Sequence, residues 1–416
     1  MPIIYVHGVN TRDPRHFEPV HEYLRRIVAP SIAPDPENVR ISAADWFQLC
    51  DPPKWGGIAR PSTPLLGQGA EVERRELLDA IVAKLPRSGP ASSSLTSGHV
   101  ATPNQYSRIE GLTPDDLADL ITVSAASNSI DGLQRARIGI AADRVARDLA
   151  IQRSVKAANS LEKQLAILAA SVQESVEQQS TLAGQGAAQF LRSLPGCVSE
   201  SLSRIFGSPI AVASLIAGEL RPTLNDFVTR FVGDVLFYMT LRGTANAPGA
   251  IPQVLISELE FAAETKRRRS GEPIVLLTHS MGGQIAYDVL TSFLPEARSE
   301  VKVDFWCATA SQVGYFEELN MFLASSKNFS RASGLPTPFP CAHLGRWWNV
   351  WDPNDIISFT TKGIFANGID DEKYWSGMSL AAAHGGYLER PSFYRRFADK
   401  LKTAFPVGGA EVDVRA

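Results

Sequence analysis

A serine separates an aliphatic run from a glycine pair in the stretch IVLLTHSMGGQIAYDVL, residues 274–290. The aliphatic run predicts a buried strand over 274–278, and the pattern after it predicts a helix over 281–293. A serine at such a corner has its hydroxyl lifted out of the sheet, and the helix N-terminus directs backbone N–H groups at any negative charge that forms beside it. Ser280 is therefore a candidate nucleophile. The alternative is a serine that only caps the helix.

A serine hydroxyl is a weak nucleophile at neutral pH, so it needs a general base and an acid that orients the base. His384 is the candidate base, because its loop, AAAHGGYLERPSF, offers no helix or strand face on which a core histidine would pack. Two candidate acids, Asp352 and Asp355, follow a predicted strand in NVWDPNDIISF. Asp352 precedes a proline and also suits a turn.

The residues THSMG, 278–282, resemble the GxSxG nucleophile elbow of the α/β-hydrolase superfamily, with Thr278 at the position of the first glycine. The resemblance extends to the chain order of serine, acid and histidine. In the superfamily, the acid precedes aliphatic residues, which favours Asp355 and leaves Asp352 as the alternative. The segments that match are also similar to bacterial lipases and esterases. The resemblance implies an α/β-hydrolase fold and a catalytic triad of Ser280, Asp355 and His384.

The first strand is followed by HG in IIYVHGVNTRD, which resembles the oxyanion loop of the same superfamily. Acyl transfer passes through a tetrahedral oxyanion that backbone N–H groups stabilise. The resemblance implies that Met281 and Val9 supply these N–H groups. It also implies that Gly8 allows close approach and that His7 braces the loop, while Gly282 permits the sharp turn after the nucleophile.

The other histidines are weaker candidates for the base. His279 lies inside the elbow and is expected to point away from the Ser280 hydroxyl. His343 precedes the acid and breaks the expected order. His16 and His21 lie on a predicted helix, where they are most simply surface groups.

Strands and helices alternate at both ends of the 416-residue chain, which predicts an α/β fold with a mostly parallel sheet and helices on both faces. The predicted hydrolase core comprises residues 1–50 and 222–405, and 406–416 form a C-terminal tail. Residues 51–221 form an inserted loop and helical cap, with a Pro/Gly/Ser-rich loop at 87–98 and a capping pattern at Thr113 and Asp116. Two cap segments are lid candidates. They are residues 203–220 and a stripe of apolar residues at helical spacing: Ala158, Leu161, Leu165, Leu168, Val172 and Val176.

Composition excludes several classes of function. A formal net charge of -3 and a pI near 6.2 provide no basic field for nucleic acid. The four cysteines form no CxxC pair, and GxGxxG, GxxxxGK[ST] and HExxH are absent, so no metal or cofactor is expected. With no signal peptide and no apolar run of about 20 residues, the expected location is the cytoplasm, with specialised secretion left open.

These features together predict a serine hydrolase that cleaves carboxylic esters through an acyl-enzyme intermediate. The large cap favours hydrophobic, lipid-like esters and contact with a membrane surface. One alternative is a small-ester esterase, thioesterase or peptidase on the same fold. Another is an interaction or sensing protein whose helical region binds a partner or a second copy and regulates a hydrolase effector.

Overall fold

The computed structural model describes residues 1–9, 11, 13, 15–50, 109, 112–124, 132–179, 231–269, 272–378 and 383–406. Three predicted segments lie outside the described residues: the loop at 87–98, the lid candidate at 203–220, and the tail from residue 407. The structural statements below concern the described residues.

The sheet contains six parallel strands in the order β2-β1-β5-β6-β7-β8. The strands in chain order are β1 (Ile3–Val6), β2 (Ile41–Ala44), β3 (Gly243–Thr244), β4 (Ala247–Pro248), β5 (Val275–His279), β6 (Val303–Thr309), β7 (Leu344–Trp351) and β8 (Ile369–Lys373). The short strands β3 and β4 form a separate antiparallel pair. The predicted parallel sheet of an α/β fold is thus confirmed.

Helices follow β1, β5 and β6 singly, and several helices lie between β2 and β3. The helices are α1 (Phe17–Tyr23, continuing as a helix to Ile32), α2 (Pro114–Ser124), α3 (Gly132–Arg147), α4 (Leu149–Ala157), α5 (Leu161–Gln179), α6 (Ala250–Arg268), α7 (Met281–Asp288, continuing to Glu296), α8 (Val313–Glu318), α9 (Ala383–Gly386) and α10 (Pro391–Ala404). Residues 231–241 are also helical. No helix in the described part of the chain is both long and apolar enough to cross a membrane.

Helices cover both faces of the sheet, as predicted. In β1, Ile4 and Val6 belong to an apolar cluster with α6 and α7, whereas Ile3 and Tyr5 belong to one with α1 and α10. This division follows from the two-residue period of a strand, which places successive side chains on opposite faces. Because both faces are buried, the central strands need apolar residues at nearly every position.

Helices α2 to α5 share a second apolar core of their own. Helix α3 joins this core to the sheet layer, because Ile138 and Ala142 pack among the helices while Ala136 and Ile140 pack with α1 and α10. The division of the chain into a hydrolase core and an inserted cap stays a prediction.

The apolar stripe from Ala158 to Val176 spans two helices. Ala158 is the C-cap of α4, and the later members lie on α5, where Leu165, Leu168 and Val172 are buried. The helical conformation is interrupted at 158–160, so the stripe lies on two helices where the sequence predicts one long helix.

Candidate functional site

The predicted site residues lie in segments that follow strands at the carboxyl edge of the sheet. Gly8 follows β1, Ser280 follows β5 and Asp355 lies beyond the end of β7, while His384 belongs to α9, between β8 and α10. The carboxyl edge is where parallel α/β sheets place their reactive groups, because the connecting loops converge there.

Ser280 occupies a strained backbone conformation, with φ 52° and ψ -126°. Such a conformation costs a non-glycine residue on the order of 1–3 kcal/mol, and surrounding contacts must hold it. Here the Ser280 N–H donates to the carbonyl of Thr309 at 2.9 Å, and the Gly283 N–H donates to the carbonyl of Ser280 at 2.8 Å. The Ser280 hydroxyl is buried and has no hydrogen-bond partner within the described segments, and it does not cap α7. The geometry therefore does not favour the helix-cap alternative.

Two glycines allow the backbone to crowd around Ser280. A Cβ on Gly8 would lie 2.6 Å from the Cβ of Ser280, which is far inside van der Waals contact. A Cβ on Gly282 would lie 2.4 Å from the carbonyl oxygen of Val6, so α7 could not approach β1 as closely with any other residue there. The loop after β1 is thus pressed directly against the candidate nucleophile.

Thr278, the departure from the superfamily pattern, is accommodated away from the turn. Its side chain is fully buried, and its Oγ1 accepts a hydrogen bond from the Trp306 indole N–H at 2.9 Å. The β-branched side chain therefore packs against β6.

His384 is paired with Asp355. Its Nδ1 lies 2.9 Å from Oδ2 and 3.1 Å from Oδ1 of Asp355, and both side chains are almost fully buried. Because the carboxylate accepts, Nδ1 carries the proton, and Nε2 of the neutral ring is then the basic nitrogen. This is the tautomer that a general base needs.

Tyr387 and the backbone hold Asp355 in place. The Tyr387 hydroxyl donates to Oδ2 at 3.3 Å, and the Ile357 N–H donates to Oδ1 at 3.2 Å. Burial, and next the negative charge of Asp355, raise the pKa of Tyr387 well above its usual value, so the phenol remains a donor. Tyr387 was not singled out from the sequence, because an isolated tyrosine three residues after a histidine carries no signal of its own.

Asp352, the alternative acid, has structural partners. Its carboxylate accepts hydrogen bonds from the Asn354 N–H at 2.8 Å and the Ser376 N–H at 2.7 Å. It thereby closes the turn after β7 and ties it to the chain after β8. This matches the turn role that its place before a proline suggests.

Gln312 is a second residue that sequence reasoning missed. Its side-chain amide donates to the carbonyl of Ile357 and to that of Ala310, both at 2.6 Å. Gln312 thus connects the loop after β6 to the loop that carries Asp355. Nothing in its local sequence indicates this bridge, since the two loops meet only in the folded chain.

His7 links the loop after β1 to the end of β2. Its Nδ1 donates to the Gly8 carbonyl at 2.8 Å, and its Nε2 accepts from the N–H groups of Trp46 and Phe47 at 3.1 and 3.3 Å. The ring also stacks on that of Trp46. These contacts join the ends of β1 and β2 and hold Gly8 near Ser280.

Met281 and Val9, the two implied oxyanion donors, lie next to residues that define the corner at Ser280. Met281 is the first residue of α7, where a backbone N–H has no partner within the helix. Val9 directly follows Gly8, which contacts Ser280. Their assignment to the oxyanion hole stays a prediction.

His16 is one member of a cluster that could be considered for a metal ion, together with His7 and Asp45. Their ligand atoms lie within 4.8 Å of one another. His16 was expected at the surface, but its side chain is only 13% exposed, and its Nε2 lies 3.1 Å from Oδ1 of Asp45. Nε2 of His7 already accepts two backbone hydrogen bonds. These three side chains therefore fit a hydrogen-bonded contact between loops better than a metal centre.

Comparisons with protein-family models, with curated proteins and with solved structures find no match for this chain.

Proposed function

We propose that this chain is a serine hydrolase with an α/β-hydrolase fold, which cleaves carboxylic esters through an acyl-enzyme intermediate. The observation that carries the proposal is the Asp355–His384 pair, which lies beside the strained corner at Ser280. The ring of His384 is 4.9 Å, between centroids, from the ring of His279, the residue that precedes Ser280. An acid, a histidine in the basic tautomer and a buried serine hydroxyl on neighbouring loops are the parts that acyl transfer requires.

In the first half of the proposed reaction, Oγ of Ser280 attacks the ester carbonyl carbon while Nε2 of His384 takes the hydroxyl proton. Asp355 stabilises the resulting imidazolium through Nδ1. The oxyanion that forms accepts hydrogen bonds from the N–H groups of Met281 and Val9. When the carbon–oxygen bond to the alcohol breaks, His384 returns the proton to that alcohol, and the acyl group remains on Ser280.

In the second half, a water molecule attacks the acyl-enzyme and gives a proton to Nε2 of His384. The second tetrahedral intermediate collapses, the bond between the acyl carbon and Oγ of Ser280 breaks, and His384 returns the proton to Oγ. The carboxylic acid leaves, and the enzyme is restored without any cofactor in the scheme.

Two features support a hydrophobic acyl group. Large apolar side chains are exposed in the segments around the acid: Ile356 directly follows Asp355 and is 51% exposed, and Trp375, which precedes the Ser376 that donates to Asp352, is 54% exposed. Met378, six residues before His384, packs against the core of α2 to α5. Helices α2 to α5 thus contact the chain segment that precedes His384. At this position they would affect the access of substrate to the site.

Labelling with a fluorophosphonate tests the proposal, because the reagent reacts far faster with an activated serine than with an ordinary one. We expect the wild-type chain to be labelled and Ser280→Ala not to be. A well-folded wild-type sample that resists labelling would sink the hydrolase proposal and favour the interaction or sensing alternative.

The substrate class needs a second measurement. Hydrolysis rates of p-nitrophenyl esters from acetyl to palmitoyl, with phospholipid vesicles as a parallel substrate, distinguish lipid-like esters from small ones. We expect kcat/KM to rise with acyl length. Activity confined to acetyl and butyryl esters would instead support the small-ester alternative.

A further inference from the structure

His279, a weak candidate for the general base, contacts the residue that carries the stronger one. Its Nε2 lies 2.6 Å from the main-chain carbonyl oxygen of His384, and the two rings are 4.9 Å apart at an interplanar angle of 50°. A carbonyl oxygen only accepts, so Nε2 of His279 carries the proton and donates it.

The ring of His279 is neutral at neutral pH. Burial, and next the charge of His384, lower the pKa of His279 to about 4. At neutral pH its ring therefore presents one donor, Nε2–H, toward His384. A neutral ring also adds no positive charge next to the imidazolium that forms on His384 during acyl transfer.

The other nitrogen of His279 faces the oxyanion loop. A Cβ built on Gly8 would lie 2.9 Å from Nδ1 of His279, so this ring fills the space between the loop after β1 and the segment of His384. The His279 side chain, at the end of β5, thus contacts both the loop after β1 and the segment of His384. Both must be aligned with Ser280 for catalysis.

The segment that carries His384 has little secondary structure to hold it. Helix α9 is four residues long, contains Gly385 and Gly386, and is followed by a single 3-10 turn at Tyr387–Glu389. A helix of this length is not stable alone, so tertiary contacts must set its position. Asp355 holds the ring of His384 at Nδ1, and the bond from His279 holds its main chain.

We infer that His279 is a positioning residue, whose Nε2–H donates to the His384 carbonyl and keeps the base aligned with Ser280. This inference rests on the proposed hydrolase function. Because small displacements of a catalytic group reduce the rate steeply, loss of this bond should lower kcat by about 10- to 100-fold with little change in KM.

The test compares His279→Leu, which removes the donor, with His279→Gln, whose amide nitrogen reaches about as far as Nε2 of histidine. We expect the leucine variant to lose kcat and to react with the fluorophosphonate about 10- to 100-fold more slowly. We expect the glutamine variant to recover to within about fivefold of the wild type.

His343→Leu is the matched control. His343 is also buried and donates from a ring nitrogen to a main-chain carbonyl, that of Val301, at 2.8 Å, but it lies at the start of β7. We expect its loss to lower the melting temperature while kcat stays unchanged. The control separates a general loss of packing from a loss of alignment.

The outcomes distinguish the two proposals. A wild type that is not labelled overturns the hydrolase function and this inference with it. A labelled wild type with full kcat in His279→Leu, or equal losses in the leucine and glutamine variants, overturns the positioning role alone. Should the leucine variant not fold, His279→Asn replaces it, since its shorter amide does not reach the carbonyl; activity equal to that of His279→Gln would again contradict the inference.

Discussion

The carboxylate of Asp352 accepts a hydrogen bond from the main-chain N–H of Ser376 at 2.7 Å. Asp355, three residues later, instead faces the ring of His384 at 2.9 Å. Two acids in one short loop therefore have different partners. Asp352 organises the backbone of the loop, and Asp355 orients the candidate base.

Replacing each acid by its amide should separate these roles. Asp355→Asn removes the charge that stabilises the imidazolium and disturbs the tautomer of His384, so kcat should fall by about 10³- to 10⁴-fold. Asp352→Asn leaves one backbone N–H poorly paired, which should cost about 1–3 kcal/mol of stability while kcat changes by less than about threefold. Ester hydrolysis and urea unfolding measure the two effects. Equal losses of kcat would contradict the assignment of Asp355.

Gly8 is predicted to tolerate no side chain. In Gly8→Ala, the new Cβ would lie 2.6 Å from the Cβ of Ser280 and 2.9 Å from Nδ1 of His279, so the loop or the serine must move. We expect kcat to fall by about 100-fold or more, since a shift near 1 Å at a reacting group has this effect. Gly233→Ala is the control, because a Cβ there meets nothing within 4 Å, and its activity should be that of the wild type. Full activity in Gly8→Ala would show that Gly8 does not limit the site.

The central strands could be predicted because they are buried on both faces and have long apolar runs. Strand β8 was missed, since Ile369–Lys373 reads IDDEK. It is an edge strand, and two of its charges are paired by α10: Asp370 and Glu372 with Lys400, and Glu372 with Arg396. These partners come from a helix that begins about 20 residues later, so the strand is defined by tertiary contacts that local pattern does not show.

The candidate site was likewise predictable only where local sequence patterns indicate it. Ser280, Asp355 and His384 each lie in a local pattern that indicates chemistry, and the structure brings the acid and the histidine together. The role of His279 depends on a contact with a residue 105 positions away. A contact between residues so far apart in the chain cannot be predicted from a local sequence pattern.

Asp143 should be important for attaching α3 to α10. Its carboxylate is 1% exposed and accepts hydrogen bonds from Arg395 of α10 and from Arg147. We expect Asp143→Asn to lower the free energy of unfolding by about 2–3 kcal/mol, because a buried charge-assisted pair is lost. Asp370→Asn, which loses an ion pair with Lys400 at an exposed position, should cost less than about 1 kcal/mol. Urea unfolding of both variants checks this. A loss in Asp143→Asn no larger than that in Asp370→Asn would contradict the prediction.

Asp119 is a partly buried acid at a second contact between α2 and α10. Its Oδ2 accepts a hydrogen bond from the Ser392 hydroxyl at 2.9 Å. Burial raises the pKa of Asp119 to about 6, although the charge of Arg390 acts in the opposite direction. Since the folded pKa lies above the unfolded value near 4, the folded state prefers the protonated acid.

The contribution of Asp119 to stability should therefore depend on pH in a defined direction. It is fully present below about pH 4 and is lost as the pH rises through about 6, so the ionised carboxylate at neutral pH carries a cost on the order of 3 kcal/mol. Asp119→Asn removes this titration. We expect the variant to lose stability relative to the wild type at pH 4 and to regain part or all of it by pH 7.5, in urea unfolding at each pH. A difference between the two proteins that stays constant from pH 4 to 7.5, or that moves in the opposite sense, would show that Asp119 does not titrate with a raised pKa in the folded chain.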